Sequence, residues 1–158
     1  MPLHYTLARL GVLLFLFNTT TLQAADAVLP GTLRVDTEYN FSTLVSRVEK
    51  AISDNRMGLV SRASASRGAA RRGVSILGNE VLMVFRNDYA VRMLAASVAA
   101  GFEAPLRLYV VENPDHKASL IYRRPSAVFA PYHNVGIDKM AAELDPIFAR
   151  IVADATAE

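Results

Sequence analysis

The sequence predicts one α+β domain of order β-α-β-β-α-β-β-α, and three observations carry that prediction. Leu33, Val35, Thr37 and Tyr39 alternate with Arg34, Asp36 and Glu38, the period of two that belongs to a half-buried strand. Val81 to Phe85 is an unbroken apolar run rich in β-favouring residues, the pattern of a strand covered on both faces, so it is placed at the centre of the sheet. Three further stretches repeat apolar residues at helical spacing: Leu44, Val48, Ala51 and Ile52; Val91, Leu94, Ala95 and Val98; and Ile137, Met140, Leu144, Ile147, Phe148 and Ile151.

The boundaries follow from local chemistry. Ser42 or Thr43 is expected to cap the first helix and Gly58 to stop it. Leu59 to Ser66 reads as a weaker strand. Arg67 to Asn79 is the least regular stretch, with room for one helical turn from Ala69 to Arg72. The second helix is expected from Tyr89 to Ala100, capped by Asp88 and ended by Gly101, with Val91, Leu94, Ala95 and Val98 turned to the sheet. Pro105 opens the next strand, where Leu106, Leu108 and Val110 point one way and Arg107, Tyr109 and Val111 the other. Asn113 to His116 then forms a hairpin connection, and the chain returns through Leu120 and Tyr122. Pro125 and Pro131 forbid regular pairing from Ser126 to Asn134, and Pro146 is expected to kink the last helix because it removes a helical hydrogen bond.

Composition bounds the function classes. The chain has 158 residues, 17 Lys+Arg against 15 Asp+Glu, 52% hydrophobic residues and no Cys, a globular composition far from that of a disordered chain. Without Cys there are no disulfides, no haem c attachment and no thiol chemistry, so stability must come from a hydrophobic core. Arg9, the uncharged run Leu10 to Phe17 and the polar stretch to Ala24 form the pattern of a secretory signal peptide. The run covers about 12 Å as a helix, far short of the roughly 30 Å hydrocarbon core, so it does not span a membrane. Residues 1–24 are therefore assigned to the signal, 25–40 to an N-terminal segment with the first strand, and 41–155 to the body of the domain. Cleavage near Ala24 leaves a periplasmic or secreted protein without a membrane anchor. It removes Arg9 alone among the charged residues, so the net charge of +2 falls by one. A nucleic-acid partner is not expected from so small a charge.

Several segments resemble a known family. Phe85-Arg86-Asn87-Asp88, the stretch Ala99 to Glu112 that contains Ala100-Gly101 and Leu106-Arg107, then Ile121-Tyr122-Arg123-Arg124-Pro125 and His133 together resemble the domain of unknown function 302 (DUF 302). The resemblance covers about Phe41 to Ala153. Arg86 stands where that family usually has glycine, and Asp88 where it has proline. The resemblance implies a compact α+β domain similar to TATA-binding-protein-like folds, with helices on a curved, mainly antiparallel sheet, often as a dimer. It implies no established activity.

Each residue able to carry chemistry has a plainer role beside it. His133 precedes the last helix, where it can serve a ligand or simply hold the helix entrance; His116 lies in the hairpin turn, and His4 leaves with the signal. No protein-only metal site follows from such spacing. Met83, Met93 and Met140 with Phe85 and Tyr122 can line an apolar or haem pocket, although such residues mostly build cores. Arg67, Arg71 and Arg72 can bind an anion in a glycine-containing loop but suit a solvated surface better. Ser61, Ser64, Ser66 and Ser75 lack the glycines of a nucleophile elbow. Glu112 and Tyr122 on neighbouring strands can form an acid/base pair, or merely pair across the sheet.

No spacing reaches the specificity of a catalytic motif. The sequence therefore points first to an exported, non-catalytic domain that binds a small ligand or acts by interaction as a homodimer. A haem- or metal-linked accessory protein and an enzyme of unassigned class are the alternatives. No cofactor is predicted, haem being the alternative. The ligand site is expected where Arg86 and Asn87 leave the central strand, with Tyr122 and His133 converging on it, and a neutral polar head on an apolar body is the favoured ligand.

Overall fold

The computed structural model describes residues 28–158, so the expected signal peptide, the expected cleavage site and His4 lie outside the described residues. Five strands, β1 (Thr32–Asn40), β2 (Gly58–Ala63), β3 (Asn79–Phe85), β4 (Leu106–Glu112) and β5 (Lys117–Arg123), form one antiparallel sheet in the order β1-β5-β4-β3-β2. Five α-helices accompany it: α1 (Phe41–Asp54), α2 (Ala65–Ala70), α3 (Asn87–Ala96), α4 (Pro125–Phe129) and α5 (Val135–Thr156). This is the expected α+β class and order of elements along the chain, with the expected helical turn before β3 present as α2 and with α4 added.

The helices α1 and α5 bury one face of the sheet. Leu44, Val48 and Ile52 of α1 meet Leu82, Leu108, Val110 and Leu120 of the strands, while Ile137, Met140, Phe148 and Ile151 of α5 close the core from outside. Fully burying each such side chain is worth about 1.5–3 kcal/mol, which is how a chain without disulfides holds together. α5 runs through Pro146 as a single element. Gly31 adopts φ +76° just before β1, and a Cβ there would lie only 2.1 Å from the Ala127 methyl of α4.

Several boundaries differ from the sequence reading, each for a local reason. Asn40, not Ser42 or Thr43, caps α1, its side chain accepting from the Thr43 amide at 2.9 Å. The helix ends at Asp54, and a left-handed Arg56 turns the chain so that Gly58 opens β2 instead of stopping α1. Ser64 caps α2 by accepting from the Arg67 amide, which ends β2 at Ala63 and moves the expected helical turn upstream. β4, not β3, occupies the centre of the sheet. Burial along β3 alternates: Glu80, Leu82 and Val84 are buried, but Val81, Met83 and Phe85 are half-buried, since the long helices cover only one face.

The largest departure concerns α3. It starts at Asn87 and ends at Ala96, and its buried residues are Tyr89 and Met93. Val91, Leu94, Ala95 and Val98, expected against the sheet, face solvent. Tyr89 and Met93 also lie four residues apart, so they form a second helical stripe, and the direction in which the chain leaves β3 selects it.

One buried acid ties the far edge of the sheet to the helices. Glu80 is 2% exposed on the core face of β3 and pairs with Arg62 of β2 and, at 3.3 Å, with Arg67 of α2; Arg62 also pairs with Glu49 of α1. Hydrogen bonding to Glu80 holds the Arg62 guanidinium above its ordinary range. Removing the Glu80 carboxylate leaves Arg62 with Glu49 alone, frees Arg67 and empties a buried position on the core face, so Glu80→Ala is expected to cost about 2 kcal/mol in urea denaturation. Lys50→Ala, which breaks only the exposed pair with Asp54, should stay within about 0.5 kcal/mol of wild type. In the same assay Phe148→Ala should cost about 3–5 kcal/mol and the half-buried Phe85→Ala about half as much; equal losses would contradict the one-sided cover of the sheet.

Candidate functional site

Where β3 ends, Arg86 leads directly into α3. Its Nε and Nη2 donate to the two carboxylate oxygens of Asp88 at 2.8 and 3.1 Å, and its guanidinium carbon lies 4.3 Å from the centroid of the Tyr89 ring. The Arg86 hydrogen bond holds the Asp88 carboxyl below the usual carboxylate range, and the same bond raises Arg86. Below this staple lies a small cavity of about 30 Å3, lined by Met57, Phe85, Tyr89, Met93, Phe129 and Met140 among others. That is space on the scale of one or two waters. Met93, Met140 and Phe85 thus share a cavity as expected. Met83 does not join them: it sits further along β3, opposite Arg107, while Phe85 reaches the cavity from the end of the strand; Met57 is the third methionine instead.

The uncovered face of the sheet offers more room. Near the hairpin, Arg34 bonds to Asp36 at 2.7 Å and to Asn113 and Ser119 at 2.8 Å, and the Ser119 hydroxyl donates to Asp36 at 2.6 Å, so these polar groups satisfy one another. That hydroxyl and Arg34 hold the Asp36 carboxyl below its ordinary range. Further along the strands, Tyr109 lies opposite Ile121, and Thr32 opposite Arg123. Together with Leu29, Arg107 and Tyr122 they line a depression of about 240 Å3. Arg123 donates to the Pro30 and Ala127 carbonyls at 3.3 and 3.0 Å, which fixes it at the rim. Arg107 is exposed and has no hydrogen-bond or ion-pair partner among the described residues.

The four residues expected to converge are distributed as follows. Arg86 lines the small cavity and Tyr122 the sheet depression, while Asn87 opens α3 exposed to solvent and His133, also exposed, lines neither. His133 takes φ +48° at the end of the short 3-10 turn Ala130–Tyr132, reversing the chain into α5, whose first amides are capped by Asn134. Burial, followed by the charge of Asp145, pushes the Tyr122 phenol up, so it stays protonated at neutral pH. Glu112 and Tyr122 do not form a pair: Glu112 faces Ala118, Tyr122 faces Leu108, and the Glu112 carboxylate binds His116 and the Gly78 amide, each at 2.8 Å. Those two hydrogen bonds hold Glu112 below its usual range.

A third feature is a surface. Val91, Leu94, Val98 and Phe102 project from α3 and the following 3-10 turn Ala99–Glu103, with Val98 79% and Phe102 89% exposed. The turn folds back on the helix, since a Cβ on Gly101 would sit 3.0 Å from Leu94 Cδ2. Val135, also exposed, follows Asn134, whose amide donates to the Ala96 carbonyl at 3.1 Å and so brings the start of α5 to the end of α3.

Among the described residues no group of three or more His, Asp or Glu is placed to hold a metal ion, and no helix is long and apolar enough to cross a membrane. No curated protein matches the chain. Among solved structures, the crystal structure of an uncharacterized conserved protein DUF302 from Bacillus stearothermophilus is similar, with a TM-score of 0.72 and 16% identity over 80% of this chain and 98% of that one. Its likeness shows the fold alone. The family model described as domain of unknown function DUF302 matches residues 33–155, from the first strand to the end of the last helix. The chain belongs to the DUF302 family.

Proposed function

We propose that this protein is an exported, non-catalytic interaction domain that acts as a homodimer through the surface of α3 and the turn after it. The observation that carries the reading is the outward apolar stripe of Val91, Leu94, Val98 and Phe102. No charged side chain occurs from Met93 to Phe102. The flanking charges are engaged within the chain: Arg92 binds both carboxylate oxygens of Glu143 at 2.7 Å, and Glu103 accepts from the Tyr132 hydroxyl at 3.3 Å. A surface without charge selects an uncharged partner surface, and a two-fold axis supplies one by placing the stripe against itself. With Val135 it offers on the order of 500 Å2 of apolar area, at the upper end for a monomer and more than half of one partner's share of a standard interface.

A non-catalytic role is supported by the state of the candidate acids and bases. Glu112 and Tyr122 face different partners across the sheet, and the Glu112 carboxylate is tied to His116 and the Gly78 amide. Export rests on Arg9, the run Leu10 to Phe17 and Ala24.

Light scattering on the purified mature protein should report a dimer, and the Val98→Asp/Phe102→Asp variant a folded monomer with the wild-type circular dichroism spectrum, since both side chains are exposed in the single chain. A wild-type monomer, or a variant that stays dimeric, would overturn the reading. Protein recovered from a periplasmic fraction should begin at Ala25 or Asp26; an intact Met1 on a soluble cytoplasmic product would exclude export.

A further inference from the structure

We infer that the depression on the uncovered face of the sheet is a binding site for a small organic anion with an apolar body, such as an aromatic or short-chain carboxylate. Its lining contains two cations, Arg107 and Arg123, and no Asp or Glu. The nearest acid on that face toward the hairpin, Asp36, is held by Arg34 and Ser119. Positive charge therefore faces the depression without an internal counterion.

The two arginines differ in what they can offer. Two of the five Arg123 N–H donors go to backbone carbonyls, so this side chain is held in place at the rim as a fixed positive charge. Arg107 is exposed, with its guanidinium donors unclaimed among the described residues, and a guanidinium binds a carboxylate by two parallel hydrogen bonds. Beside it, Tyr109 is 37% exposed and pairs across the sheet with Ile121, giving a flat apolar floor next to the charge. Leu29 closes one side. At about 240 Å3 the space admits a molecule the size of a substituted benzoate and falls below the usual range for drug-sized ligands. One unclaimed guanidinium beside one fixed charge matches a single anionic group and leaves the several charges of a polyphosphate undercompensated.

The site is distinct from the α3 surface, and the test separates the two. Binding of 1-anilinonaphthalene-8-sulfonate, an anion with an apolar aromatic body, is followed by fluorescence beside its uncharged relative N-phenyl-1-naphthylamine. Wild type is expected to bind the sulfonate once per chain, and benzoate to displace it where benzyl alcohol does not. Arg107→Gln should weaken the sulfonate about tenfold or more while leaving the neutral probe within about twofold, as loss of a charge-assisted contact demands. Tyr109→Ala should weaken both probes. The Val98→Asp/Phe102→Asp variant should bind the sulfonate as wild type does, whatever its oligomeric state. Absence of binding, an unchanged affinity in Arg107→Gln, equal displacement by the alcohol, or loss of binding in the α3 variant would each overturn the assignment.

Discussion

Leu44, Val48 and Ile52 of α1 lie between the strands and α5, with Phe148 and Ile151 closing over them, and this layer is where the apolar surface of the chain is spent. A domain of this size can build one such layer without disulfides or metals to supplement it. Both long helices are used on one face of the sheet. The other face then has to be soluble while remaining a pleated surface, and alternation meets that demand: Arg34, Arg107 and Arg123 occur on the same strands that send Val35, Leu108 and Tyr122 inward. Its mixture of arginine and half-exposed apolar residues is therefore a direct outcome of one-sided packing.

The Glu80 cluster shows how that layer is tied to the sheet's edge. β2 is the outermost strand beside β3, and α2 hangs from its end. Apolar contact alone does not fix so short an edge, because β2 has few inward side chains. Arg62 answers this by reaching two acids on different elements, Glu49 and Glu80, so that strand, helix and neighbouring strand share one ionic cluster. Clusters of this kind add little net energy compared with apolar packing, but breaking one member is costly, which makes the arrangement specific.

Much of this fold was legible before any coordinates. The alternation of Leu33 to Tyr39, the hairpin around Asn113 to His116 and the stripe from Ile137 to Ile151 are local signals, and the structure contains the corresponding elements. What local signals cannot carry is the choice between two equally periodic faces. Tyr89 with Met93 and Val91 with Leu94 and Val98 both repeat at helical spacing, and only the path of the chain out of β3 decides between them. The Arg62–Glu80 pair is hidden for a similar reason: an acid at the start of an apolar run looks like the end of a loop until the neighbouring strand is in place. For the sites, alternation already put Arg107 and Tyr109 on one side of a strand, but nothing in the pattern told that no long helix would cover that side.

The junction after β3 shows how a family position can change the chemistry of one surface. The resemblance noted in the sequence implies glycine where this chain has Arg86, and proline where it has Asp88. Here the arginine spans from the carboxylate of Asp88 to the ring of Tyr89, and that one side chain forms an ion pair and a cation–π contact at the mouth of the methionine-lined cavity. Glycine at the same point has no atoms to reach either partner, and proline at the second has no carboxylate to receive them. The two departures are thus chemically one. The carboxylate and the Tyr89 ring together hold the guanidinium at the Met57, Met93 and Met140 cavity, away from the depression on the sheet.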